Sequence, residues 1–254
     1  MKRMERDLPD FCIERNSIVK TKILSRLWNL GQASTINVLD VGCGNADWLR
    51  PLLNNMPSIN YFGIEPSNSL VSNARANLPK HAHQIFQGRG EDLSSMFDFQ
   101  FDVVVTRAVF EHVYKRAKFI HSLSKVLLPQ GILLFSYGTN HFKEGSITDA
   151  RNFVSKILAI LGYDRYYAFP VNKSQLKNSL VTNGFNILDE KSYSLDDIKM
   201  AHKLISDDQI SKDLLLNWLS LEDEININSS DSQMLEKLTN EMFFEAQKLE
   251  YSTK

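Results

Sequence analysis

The segment VLDVGCGNADWL (38–49) constrains the fold more than any other part of the chain. The apolar run that ends at Val41 predicts a short buried strand, and Gly42 and Gly44 predict a tight turn directly behind it. Apolar residues then recur at helical spacing, so a helix follows the turn. Glycines let a ligand approach the backbone, and the first N–H groups of a helix have no partner within it. The segment therefore predicts a ligand site between a strand and a helix.

The same alternation of strands and helices continues to residue 138. Further strands are predicted at 61–65, 83–88, 101–107 and 132–138, and helices at 67–78 and 115–127, the second of them stopped by Pro-Gln-Gly at 129–131. The Val run at 103–105 is uninterrupted, as expected for a strand that is covered on both faces. Five strands alternating with helices predict a parallel, doubly wound α/β sheet with helices on both faces.

The remaining segments follow a looser pattern. A helix is predicted at 16–30, with Gly31 as its stop signal. After residue 138 we expect an insertion over about 139–170, which contains a helix at 149–161 and the aromatic residues Tyr163, Tyr166, Tyr167 and Phe169. A helix at 174–183 and one or two strands at 185–194 come next. From residue 196 onward we expect only helices and polar linkers.

Composition excludes several classes of protein. With 43% hydrophobic and 23% charged residues, the 254-residue chain can bury an ordinary core. No apolar run of about 18 residues and no secretory signal is present, so we expect no membrane span and a cytoplasmic protein. Cys12 and Cys43 make no disulfide framework, and no CxxC or HExxH spacing predicts a metal site. The net charge of −1 provides no global attraction to nucleic acid.

Charge is unevenly distributed along the chain. Residues 186–254 contain 15 Asp and Glu against 7 Lys and Arg, which predicts a solvated, acidic helical extension that packs peripherally.

Acidic residues follow three successive strands. Asp40 lies at the end of the first strand, Glu65 ends the second, and Glu91 and Asp92 follow the third. A carboxylate at the second position can accept hydrogen bonds from both ribose hydroxyls, and one at the third can meet an adenine amine. A dinucleotide is disfavoured, because Asp47 replaces the last glycine of the GxGxxG fingerprint and would repel a pyrophosphate. The pattern predicts an adenosine with a positively charged group near Asp40.

These motifs resemble the class I S-adenosylmethionine-dependent methyltransferases, specifically the small-molecule branch with ubiquinone-type and malonyl-carrier O-methyltransferases (methyltransferase domains of types 11, 12 and 23). VLDVGCGNADWL, YFGIEPS, GRGEDL, FDVVVTRAVFEHV and KVLLPQGILLFS are similar to the family's motifs in order and spacing. Ala46 stands where the family has a third glycine. The resemblance covers residues 36 to about 140 and, more faintly, 166–194.

The resemblance implies a mainly parallel, Rossmann-like sheet of seven strands that binds S-adenosyl-L-methionine. It divides the chain into an N-terminal helical lid segment (1–31), the methyltransferase domain (32–194) and the helical C-terminal extension (195–254). The implied cofactor-binding residues are Asp40, Gly42, Cys43, Gly44, Glu65, Pro66, Gly90, Glu91, Asp92, Arg107 and Phe110. The insertion and the N-terminal helix form the candidate lid over the acceptor.

The chemistry that the resemblance implies is transfer of a methyl group to a small molecule, with a hydroxyl or carboxyl oxygen as the preferred acceptor. An oxygen acceptor must lose a proton, so His112, next to Glu111, is the candidate base; packing of this pair is the structural alternative. His141 is a weaker candidate for contact with the acceptor.

The sequence bears on three other functions. FEHV also resembles the cyclopropane-forming and lipid-modifying branch, which leaves C-methylation of a lipid or isoprenoid open. Nucleic acid is disfavoured, since TRAVF replaces the Asn/Asp-Pro-Pro-aromatic turn that holds a flipped base. The non-enzymatic alternative is a cofactor-binding partner subunit of another methyltransferase. A homodimer is left open.

Overall fold

The computed structural model describes residues 8–14, 17–139, 154–158, 167–193 and 205–250. Nine of the described strands and helices precede residue 127: α1 (Ile18–Ala33), β1 (Ile36–Val41), α2 (Arg50–Asn55), β2 (Ile59–Glu65), α3 (Asn68–Asn77), β3 (Ile85–Gln87), α4 (Leu93–Met96), β4 (Phe101–Arg107) and α5 (Arg116–Val126). The later ones are β5 (Leu127–Gly138), α6 (Lys173–Thr182), β6 (Phe185–Tyr193), α7 (Asp208–Asn228), α8 (Ser232–Leu238) and β7 (Glu241–Lys248). A short helical stretch also lies at 154–158.

The strands form one seven-stranded sheet in the order β3-β2-β1-β4-β5-β7-β6. β1 to β5 pair in parallel, whereas β7 is antiparallel to both of its neighbours. Alternate residues of the central strands contribute to two apolar cores, as Val38 and Leu39 show. The first core lies under α1, α2 and α3, and the second under α4, α5 and α6. The predicted doubly wound α/β sheet is confirmed.

The prediction of only helices beyond residue 196 is wrong, because Glu241–Lys248 forms β7 in the interior of the sheet. The sequence EMFFEAQK is rich in good helix formers, but the strand pairs with β5 on one side and β6 on the other. Phe244 and Ala246 are fully buried there. The C-terminal extension is therefore neither purely helical nor wholly peripheral.

Two predicted stop signals lie inside elements. Gly31 is a helical residue of α1, which continues to Ala33, and a Cβ at Gly31 would come within 2.9 Å of the Met56 side chain. The Pro-Gln-Gly at 129–131 lies within β5, because Leu127 already pairs with Phe101 before the ladder shifts register. Gln130, within this irregular part of β5, has a left-handed backbone with a φ of 65°.

The N-terminal helix α1 packs into the core. Ile18, Val19, Ile23, Leu24 and Leu27 are each at most 2% exposed. Its first turn is capped by Ser17, whose side chain accepts the Lys20 N–H. The lid role predicted for residues 1–31 stays a prediction, and residues 1–7 lie outside the described part. Among the described residues, no helix is both long and apolar enough to cross a membrane.

Candidate active site

The glycine turn after β1 forms as the sequence predicts. The N–H groups of Gly42 and Cys43 both donate to the Ile64 carbonyl, at 2.8 and 3.0 Å, so the turn is tied to β2. Gly42 has a φ of 77°, and a Cβ there would approach Val109 to 2.3 Å. Gly44 also has a positive φ, of 58°, but a Cβ there would meet no atom within 4 Å. Gly42 is thus required by packing, whereas Gly44 faces open space.

Ala46 adopts a left-handed backbone where the resembled family has its third glycine. Its φ is 53°, and its side chain is fully buried. A left-handed conformation costs a non-glycine residue about 1–2 kcal/mol. The turn therefore carries this backbone strain at Ala46.

Glu65 fixes the end of β2 against the turn. Its carboxylate accepts the Gly44 N–H at 3.1 Å through one oxygen and the Ser67 N–H at 3.0 Å through the other. The side chain is mostly buried, with 7% of the residue exposed. Each carboxylate oxygen has a second lone pair, so Glu65 can accept further hydrogen bonds from a ligand.

Asp40 lies beneath the turn. Its carboxylate accepts a hydrogen bond from the Tyr61 hydroxyl at 3.2 Å, and 2% of the residue is exposed. Burial raises the pKa of Asp40 to about 7, with a smaller upward contribution from Glu65, while Tyr61 and Arg107 act in the opposite direction. Burial likewise raises the pKa of the Cys43 thiol well above its ordinary range, with Asp40 and Glu65 adding to it. Asp40 and Cys43 are thus buried polar groups at the turn, and neither lines the cleft described next.

A cleft of about 580 Å³, including its open mouth, lies at the carboxyl ends of the parallel strands. Its lining includes five of the predicted site residues, namely Gly42, Pro66, Gly90, Glu91 and His112. Arg89, Val109 and Val113 also line it, and the sequence analysis did not single them out. Gly90 is packed too tightly for a side chain, since a Cβ there would approach Phe119 to 2.2 Å.

Seven of the eleven predicted cofactor residues are not part of this lining, namely Asp40, Cys43, Gly44, Glu65, Asp92, Arg107 and Phe110. The Asp92 side chain is about half exposed and pairs with Lys118 at 2.6 Å. The ring of Phe110 is buried in the core beneath the cleft, against Phe119 and Phe135. The side chains of Asp92 and Phe110 are thus engaged outside the cleft.

Arg107 is held by a residue that the sequence analysis missed. Arg107 Nη2 donates to Glu241 Oε2 at 3.1 Å, and its Nε lies 3.1 Å from Glu241 Oε1. Glu241 begins β7, is 6% exposed, and also accepts the Ser136 hydroxyl at 2.7 Å. Arg107 Nη2 also reaches Ser17 Oγ at 3.5 Å. No local pattern signals a partner 134 positions away.

Glu111 and His112 point in different directions. Glu111 is fully buried; one carboxylate oxygen accepts the Gly138 N–H at 2.8 Å, and the other has no hydrogen-bond partner among the residues that the structure describes. Burial raises the pKa of Glu111, against its hydrogen bonds to backbone N–H groups and the nearby His112. His112 lines the cleft, and its Nδ1 lies 2.9 Å from the Tyr167 carbonyl oxygen. A carbonyl only accepts, so Nδ1 carries the proton and Nε2 carries the lone pair when the ring is neutral.

The aromatic insertion is described only in part. Tyr167 stacks on Phe169, with ring centres 4.6 Å apart, and Tyr114 meets Tyr167 edge-on. The ring of Tyr167 therefore packs beside the loop that bears His112. His141, Tyr163, Tyr166 and most of the helix predicted at 149–161 lie outside the described residues.

Comparison with known proteins identifies the class. Residues 39–135 match the family profile described as a methyltransferase domain. Residues 39–135 are thus similar to a methyltransferase domain, and the predicted resemblance of the motifs to the class I S-adenosylmethionine-dependent methyltransferases is confirmed.

The individual relatives share under 30% of their aligned residues with this chain. Malonyl-[acyl-carrier protein] O-methyltransferase of Halalkalibacterium halodurans is 29% identical over 150 residues, covering 56% of this chain and 53% of that protein. The ubiquinone/menaquinone biosynthesis C-methyltransferase UbiE of Campylobacter jejuni is 26% identical over 193 residues, covering 69% and 81%. Magnesium protoporphyrin IX methyltransferase from Synechocystis, solved with bound SAH, superposes with a TM-score of 0.54 at 14% identity, covering 92% and 83%. This chain therefore spans about half of the first relative.

Proposed function

We propose that this chain is a methyltransferase that transfers the methyl group of S-adenosylmethionine to an oxygen of a small-molecule acceptor. The observation that carries the proposal is the position of His112. The residue lines the same cleft as the glycine turn, and the Tyr167 carbonyl accepts from its Nδ1. Its Nε2 therefore has the lone pair that a general base needs.

The residues of the cleft, together with Gly44 and Glu65 of the adjacent strand ends, fit the cofactor. Space at Gly44 admits a ligand against the backbone, Glu65 retains lone pairs for ribose hydroxyls, and Pro66 offers an apolar surface for the adenine. The carboxylates of Asp40 and Glu65 under the turn favour a cationic group. When bound there, S-adenosylmethionine supplies an electrophilic methyl group.

The protein's own part in the reaction is orientation and proton removal. The turn, Glu65 and Glu91 would hold the donor in place. His112 would take the acceptor's proton on Nε2, while Nδ1 stays hydrogen-bonded to the Tyr167 carbonyl. Proton removal of this kind contributes about 10²- to 10⁴-fold to a rate. Glu111 lies beside His112 in the chain, and it ties this loop to the end of β5 by accepting the Gly138 N–H at 2.8 Å.

Carbon methylation is the second candidate. The UbiE relative, a C-methyltransferase by name, aligns with a larger share of this chain than the malonyl O-methyltransferase does. A carbon acceptor also loses a proton, so the same histidine would serve either reaction.

Calorimetric titration with S-adenosylmethionine tests the cofactor assignment. Glu65→Ala removes the acceptor for two hydroxyls and should weaken binding by about 1.5–3 kcal/mol. Asp98→Asn, at an exposed position, is the control and should bind like the original protein. An unchanged dissociation constant for Glu65→Ala would refute the assignment, and absence of binding heat in the original protein would favour a non-enzymatic subunit.

The acceptor atom is identified with ¹³C-methyl S-adenosylmethionine and a panel of phenols, carboxylic acids, carrier-bound acyl groups, quinone precursors and lipids. The ¹³C shift of the product distinguishes an O-methyl from a C-methyl group. On the acceptor found, His112→Gln keeps the side-chain bulk but cannot take a proton, so turnover should fall about 10²- to 10⁴-fold. Near-full turnover of this variant would make His112 structural.

A further inference from the structure

We propose that Arg116 is a positioning residue that fixes the tautomer of His112 by clamping the segment 167–170 onto the loop after β4. The inference rests on the proposed function, because it concerns the base of that reaction. Arg116 itself does not line the cleft. It would act through the backbone that His112 contacts.

Arg116 binds two successive carbonyl groups. Its Nη2 donates to the Phe169 oxygen at 2.6 Å, and its Nη1 donates to the Pro170 oxygen at 2.8 Å. The guanidinium lies over the Phe110 ring, 5.2 Å from its centre, which fixes the plane of the fork. A forked donor of this geometry holds two acceptors at once, which an ammonium cannot do.

The clamped segment has no regular secondary structure to hold it in place. Its described backbone bonds run to the loop that carries Glu111 and His112. The Phe169 N–H donates to the Glu111 carbonyl at 3.0 Å, and the Tyr167 carbonyl accepts from His112 Nδ1 at 2.9 Å. Arg116 supplies the two remaining bonds of this set.

The clamp has a specific consequence for the imidazole. The Tyr167 carbonyl stays opposite Nδ1 only while the segment 167–170 is held down. Removing the guanidinium takes away two charge-assisted hydrogen bonds, each stronger than an ordinary amide bond. The segment would then be tied to this loop by the Phe169 N–H, and His112 would lose the acceptor that selects its Nδ1–H form.

NMR of the ¹⁵N-histidine-labelled protein tests this without an acceptor. In the original protein, neutral His112 should be almost entirely the Nδ1–H tautomer. In Arg116→Met it should shift to the mixture shown by the exposed His83 in the same spectrum. Lys125→Met removes an exposed cation from the same helix and should leave the His112 signals unchanged. An Nδ1–H tautomer retained in Arg116→Met overturns the proposal.

If Arg116→Met does not fold, Arg116→Lys provides the same test, because its ammonium cannot hold both carbonyls in the fork geometry. Its Nδ1–H fraction should lie below that of the original protein, and an equal fraction overturns the clamp. Titration of the original protein with S-adenosylmethionine decides the proposed function separately. The two failures are distinguishable, since tautomer and cofactor binding are read in different experiments.

Discussion

Replacing Asp40 by Asn should stabilise the protein while weakening the proposed cofactor site. Asp40 is buried under the glycine turn, and burial raises its pKa from 3.8 to about 7. In the unfolded chain the carboxyl ionises near its ordinary value. Folding above that pH therefore either protonates the group or buries its charge. The stability present below about pH 4 is lost as the pH rises to about 7, and the loss is then constant.

The magnitude follows from the two pKa values. At 1.36 kcal/mol for each pKa unit, the loss reaches about 4 kcal/mol above pH 7 and is about 2 kcal/mol at pH 5. Asn cannot ionise, and its oxygen can still accept from the Tyr61 hydroxyl. Asp40→Asn should therefore exceed the original protein in free energy of unfolding by up to these amounts.

Urea unfolding followed by circular dichroism at pH 5 and pH 8 measures the difference. Asp98→Asn, which changes an exposed carboxylate, should show no comparable gain at either pH. Calorimetry at pH 8 should show weaker S-adenosylmethionine binding by Asp40→Asn, because the proposed site loses a negative charge that favours the cationic cofactor. A variant no more stable than the original at pH 8, or a gain that does not grow with pH, refutes the reasoning.

Three further outcomes follow from the packing. Phe244→Ala in β7 should lower the free energy of unfolding by about 3–5 kcal/mol in urea titrations, because the ring is fully buried; a loss under 1 kcal/mol would contradict the placement of β7. Deletion of 232–254 should give no cooperative unfolding transition, and a folded, cofactor-binding truncation would show that β7 is dispensable. Gly44→Ala should fold with a cost of about 1–2 kcal/mol and bind S-adenosylmethionine less tightly, whereas Gly42→Ala should destabilise more, because its Cβ overlaps Val109. Equal stabilities of the two glycine variants, measured by thermal melts, would contradict the geometry of the turn.

The part of the fold that follows from local pattern was predictable. β1 and β4 contain continuous apolar runs, and the turn after β1 contains the glycines that its positive φ angles favour. β7 was not predictable in this way, because EMFFEAQK has the composition of a helix and becomes a strand through its pairing with β5 and β6. The helix propensity of a short segment is weak compared with the hydrogen bonds and packing that it gains by pairing with a strand on each side.

The candidate site was likewise predictable only in part. Gly42, Pro66, Gly90 and Glu91 belong to motifs of fixed spacing, and the structure places all four in one cleft. The partners that orient the polar side chains lie far along the chain. The Tyr167 carbonyl opposite His112 and Glu241 opposite Arg107 are 55 and 134 positions away. Every residue type has a backbone carbonyl, so the contact between His112 and the Tyr167 carbonyl could not be predicted from the sequence.

The position of β7 also determines the order in which the sheet can be assembled. β6 precedes β7 in the chain, yet β7 lies between β5 and β6. While the polypeptide is being synthesised, the five parallel strands can pair before β7 has emerged, and the free edge of β5 then exposes unpaired backbone groups. β6, already made, pairs with β7 among the described strands, so it can join the sheet only together with β7 or after it. The nascent chain is therefore most exposed to edge-to-edge aggregation between the synthesis of β5 and that of β7.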